Sequence, residues 1–135
     1  MKKIALLISL ILLTFSCKEE KKEPSQMTQI MKIHDEVMPK MSVFSELTSK
    51  LEDKKSEDAS NKAIYKAAQD SISHSHDLMM TWMLRFVKRF DEDEILRGKA
   101  LSPKKQKWLD EEEINVKKVR DKINKAIANA EELTK

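Results

Sequence analysis

The sequence predicts an all-α fold, an antiparallel up-down-up three-helix bundle behind a signal peptide and a short tether. Three observations predict it. Apolar residues recur at alternating steps of three and four along three long segments. One glycine and three prolines in 135 residues leave few helix breaks. No segment shows the period-two alternation of a half-buried strand. Helices are expected at about 26–55, 59–90 and 103–133. Their short connections make neighbours antiparallel.

Taken in order, Met1-Lys2-Lys3 is a basic start, and Ile4 to Phe15 is an apolar run of about a dozen residues. That is too short for a bilayer span of roughly 20 helical residues and fits a signal peptide. Ser16 precedes the single cysteine, Cys17, and the chain then turns abruptly polar. This arrangement resembles a bacterial lipoprotein signal. In that family the peptide is cut just before the cysteine, which then carries the lipid. The resemblance therefore implies a signal peptide over 1–16, acylation of Cys17, and a lipidated cysteine plus charged tether over 17–25. Thr14 departs from the family's usual leucine. The other reading is an ordinary secretory peptide followed by an unpaired cysteine. Cys17-Lys18-Glu19-Glu20 is also similar to the surface-export signal of Bacteroidetes lipoproteins, which implies an outer-membrane address with the domain at the cell surface. The alternative is a solvated charged linker.

Loss of Lys2 and Lys3 with the signal lowers 26 basic side chains to 24, against 23 acidic ones. A nearly neutral chain sets up no field that attracts nucleic acid.

Met27, Ile30, His34, Val37, Met41, Phe44, Thr48 and Leu51 form the first apolar stripe, with Ser25 as its cap. Pro39 lies inside it and predicts a kink. Glu52 to Asp58 reads as a connection. Tyr65, Ala68, Ile72, Met79, Met83, Phe86 and Phe90 mark the second stripe. Lys88 and Arg89 suit its negative end. Asp91-Glu92-Asp93-Glu94 lacks the glycine spacing of a calcium loop and reads as a solvated turn, with Gly98 supplying a positive φ. Ser102-Pro103 opens the third helix. Its seam is Leu109, Glu112, Val116, Val119, Ile123, Ala126, Ala130 and Leu133.

The mature segment also resembles small Bacteroidetes lipoproteins sometimes labelled "viral A-type inclusion protein"-like, on HDEVMPKM (34–41), DLMMTWM (77–83), RFDEDEI (89–95), GKAL (98–101) and KWLDEEE (107–113). That label implies an all-helical, membrane-anchored protein and no particular activity.

One pattern occurs twice. His34, Met38 and Met41 stand at i, i+4 and i+7, as do His76, Met80 and Met83. On a helix each set shares a face. Folding the first two helices about Ser56 or Glu57 sets His34 level with Met80 and Met38 with His76. Folding the last two about Arg97 sets Met83 level with Glu111 or Glu112. Thioethers with imidazole suit Cu(I) or Ag(I). The candidate metal residues are therefore His34, Met38, Met41, His76, Met80, Met83 and Glu112. Packing is the competing reading, since methionine fills helical cores well. A His/Met pair can also ligate haem, but three helices shield a macrocycle poorly. No phosphate loop or nucleophile–base pairing is present, so a non-enzymatic protein is expected. Soft-metal binding and a structural or protein-interaction module stand as the two functional readings.

Overall fold

The structure is a computed structural model and describes residues 25–135. The expected signal peptide, Cys17 and residues 18–24 lie outside the described residues. Within them the chain is all-α, and none of its helices is long and apolar enough to cross a membrane.

Ser25 starts α1 (Gln26–Val37) as expected, its side chain accepting from the Thr28 amide. The expected kink is a complete break. Pro39 has no N–H to return to the Asp35 carbonyl, so the chain tightens into a 3₁₀ turn, Pro39–Val43, before α2 (Phe44–Glu57) begins. Met41 N–H then bonds the Met38 carbonyl at 3.2 Å, and Ser42 Oγ donates to the Pro39 carbonyl at 2.7 Å. The expected first helix over 26–55 is therefore two helices.

The stretch 52–57, read from sequence as a connection, belongs to α2. Charged residues with good helix propensity extend it, and Lys54 and Lys55 favour its negative end. Asp58 ends the run with extended backbone. Its carboxylate accepts from the Ser60 and Asn61 amides and from Tyr65 Oη, covering orphan donors of the next helix. A short 3₁₀ turn, Ala59–Asn61, leads into α3 (Lys62–Arg89).

The acidic run after α3 is not a bare turn. Asp91 and Glu94 form a reciprocal capping box that opens α4 (Glu92–Leu96). Glu94 is buried and pinned by Lys105 Nζ at 2.5 Å. Gly98 takes φ +69°, as expected. α5 runs Pro103–Leu133 behind its Ser102 cap.

Side-chain pairs give the topology. Ser75 meets the Lys122 carbonyl and Arg85 meets Glu112, so α3 and α5 run antiparallel. Gln69 bonds the Thr48 carbonyl, and Phe44 and Thr48 share a hollow with Ile72, which places α2 antiparallel to α3. Gln26 reaches Glu113 and Lys40 reaches Asn124, so α1 runs parallel to α5. α1 packs chiefly on α5, whereas α2 packs chiefly on α3. That divergence follows from the Pro39 break and leaves the seam between α1 and α3 to large side chains.

The core takes Met27, Ile30 and Val37 from α1, Leu47 and Leu51 from α2, and Ile72, Met79, Trp82 and Phe86 from α3. The α5 seam from Leu109 to Ala130 completes it. Fully buried residues such as Leu51 and Ile123 each contribute roughly 1.5–3 kcal/mol of apolar burial.

Candidate functional site

Where α1 leans away from α3, a groove opens. Met31 and His34 of α1 form one wall, and Trp82, Met83, Phe86, Val87 and Phe90 of α3 form the other. Asp91, Glu92, Ile95 and Leu96 close one end. Its volume is about 430 Å³, within the range of small-ligand clefts. Trp82, Phe86 and Phe90 form a ladder along its floor, with successive ring centroids 4.9 Å apart. Each is nearly buried, while Val87 and Leu96 on the rim remain 62% and 70% exposed. Leu84 and Met80 lie one and two turns back from Val87 on α3 and are also exposed. Together they extend the apolar rim in an i, i+4, i+7 row.

His34 occupies the end of the groove away from α4. Its ring lies 5.9 Å from that of Trp82, tilted by 33°, and its Nδ1 is 2.9 Å from Asp35 Oδ1. The Trp82 indole nitrogen is buried with no acceptor among the described residues. Asp91 and Glu94, beside the groove, are both held below the usual carboxylate range. For Asp91 the first cause is the Glu94 amide, followed by Lys99. For Glu94 it is Lys105, followed by the Asp91 amide.

Of the seven expected metal residues, the structure brings two together at the groove and disperses the others. His34 and Met83 share the groove. Met38 and Met41 are half-buried and pack against the core at the Pro39 break. His76 is 53% exposed, beside Asp77, and lines a different, shallow hollow with Phe44 and Ile72. Met80 faces outward. Glu112 is fully buried, but its oxygens are taken by Arg85 (2.8 and 2.9 Å) and Arg89 (2.8 Å). The Glu112 carboxylate in turn holds the Arg85 guanidinium above its ordinary pKa.

His34 meets Trp82, two residues from the expected Met80, and Arg85, not Met83, stands opposite Glu112. Met79, Trp82 and Phe86 lie on the buried face of α3, and His76 and Met80, each one residue on from buried Ser75 and Met79, are turned about 100° away from it.

Met31 was missed although a signal existed, since it stands three residues before His34 on the same face. Trp82, which stands outside the expected α3 stripe, is buried and forms part of the groove's floor. Among the described residues no three His, Cys, Asp or Glu side chains converge as a metal cluster. Trp108, half-buried on α5, lies between the Arg89 guanidinium at 5.4 Å and the Lys104 ammonium at 4.8 Å. No protein-family model, curated protein or solved structure matches this chain.

Proposed function

We propose that this chain is an exported, lipid-anchored, non-enzymatic module that docks the apolar face of a partner's amphipathic helix. Its scaffold is read as an up-down-up bundle of three rods, the first broken at Pro39 into α1 and α2. The observation that carries the reading is the groove with its continuous exposed rim. Met80, Leu84 and Val87 on α3 and Leu96 on α4 present an apolar row that the fold itself leaves uncovered. Rows of this kind mark interaction surfaces. Its spacing along α3 is that of a ridge another helix packs against.

The test has two parts. Labelling cells with an alkyne fatty acid should tag the chain, and Cys17→Ala should abolish the tag. Photo-crosslinking residues are then placed in the native membrane at Val87 and Leu96, with a control at Ile64, which is also exposed but belongs to another face. A discrete protein adduct at the two groove positions and none at Ile64 supports the reading. Adducts to lipid alone, or equal labelling at all three positions, would overturn it.

A further inference from the structure

The groove holds a second kind of chemistry, independent of any partner helix. Three of the residues lining it carry soft donors. Met31 and His34 are one turn apart on α1, and Met83 follows Trp82 on α3. We propose that Met31, His34 and Met83 bind one monovalent soft metal ion, Cu(I) or Ag(I), against the Trp82 indole.

Four observations bear on this. The first is the histidine's orientation. Asp35 Oδ1 lies 2.9 Å from Nδ1, and a carboxylate only accepts, so Nδ1 is the donor and Nε2 is the ring nitrogen turned to a ligand. A carboxylate behind a histidine is the usual outer-shell arrangement of a metal ligand.

The second is where the methionines sit. Met27 and Met79 are core residues at 7% and 0% exposure. Met31 and Met83 are instead half-buried at the groove, where a thioether can be reached.

The third is selectivity. Two thioethers and an imidazole favour soft ions, whereas Ca²⁺ and Mg²⁺ need several oxygens. The groove's carboxylates do not supply them. Asp91 is engaged by Lys99 and the Glu94 amide, and Glu92 faces Arg97. The apolar walls also disfavour ions that keep a hydration shell.

The fourth is the indole. The Trp82 ring lies 5.9 Å from the His34 ring. An aromatic ring therefore stands beside the imidazole, as cation–π attraction to a bound ion requires.

The test is an anaerobic titration of Cu(I) against a chromogenic chelator. It uses the full chain carrying Cys17→Ala, so that no thiol competes, and Trp108→Phe, so that Trp82 alone fluoresces. One equivalent of Cu(I) should be taken up, with quenching of Trp82. Met31→Leu and Met83→Leu keep side-chain volume and should each weaken uptake by about tenfold or more. His34→Ala should weaken it further. Met38→Leu and His76→Ala, which do not line the groove, should leave it unchanged. Circular dichroism confirms that each variant is folded. Failure to take up one equivalent overturns the proposal, as does uptake indifferent to the three groove variants or lost in the two controls. None of these outcomes touches the crosslinking result.

Discussion

Removing both arginines that face Glu112 should destabilise the protein more than removing Glu112 itself. The carboxylate is 0% exposed, accepts two charge-assisted hydrogen bonds from Arg85 and is ion-paired with Arg89 at 2.8 Å. The arginines are not trapped in the same way, with side chains 38% and 22% exposed. In Glu112→Ala the guanidinium groups can swing into water on their long stems. Arg89 also keeps Glu111 and the Trp108 face. What remains is a small cavity and the lost bonds, about 1–2 kcal/mol. In Arg85→Ala/Arg89→Ala a charge stays buried with no donor, which costs about 3–5 kcal/mol. Arg85→Ala alone should fall between, because Arg89 still pairs. Adding Glu112→Leu to the double variant should recover most of the loss, since an apolar replacement needs no partner. Urea unfolding followed by circular dichroism reads this directly. With a slope of about 1.5 kcal/mol/M, the double variant's midpoint should fall by roughly 2–3 M and that of Glu112→Ala by about 1 M. The reasoning fails if Glu112→Ala proves as damaging as the double arginine variant, or if the triple variant recovers nothing.

Gly98→Ala should lower stability by about 1 kcal/mol through backbone strain alone. Its φ is +69° and an added Cβ would meet nothing within 4 Å. A drop in Tm of roughly 4–6 °C is expected, and an unchanged Tm would show that the loop readjusts. Docking of α4 should depend on acid. Asp91 and Glu94 have folded pKa values below their ordinary ones, so their contribution is present above the unfolded carboxylate range and is lost as pH falls through the lower folded values. Amide exchange in 91–97 should therefore speed up below about pH 4, with α3 and α5 still protected. Lys105→Met should shrink that acid sensitivity, because Lys105 is the leading cause for Glu94. Val87→Asp with Leu96→Asp should leave the melting curve nearly unchanged, because both side chains are more than 60% exposed, while abolishing fluorescence enhancement of an apolar dye. Undiminished dye binding would place the apolar surface elsewhere.

The buried faces could be read before the fold was known. Of the expected α5 seam, Leu109, Glu112, Val116, Val119, Ile123, Ala126 and Ala130 are buried, and Leu133 at its end is half-buried. Pro39 and Gly98 announced a kink, which became a full break, and a positive φ, because each acts through its own backbone. The capping box of α4 was also present in the chain, as Asp91 and Glu94 three apart with apolar Ile95 and Leu96 behind. It was passed over as a charged turn.

The sequence by itself determined where the long helices run and which side of each is apolar. Both follow from spacing along one strand of chain. Tertiary structure alone decided which sides meet. It turned His76 and Met80 outward, set His34 against Trp82 and gave Glu112 to two arginines. Level and rotation between helices depend on how large side chains from distant segments interlock, and a two-residue slip costs the local pattern nothing while exchanging every neighbour across the seam.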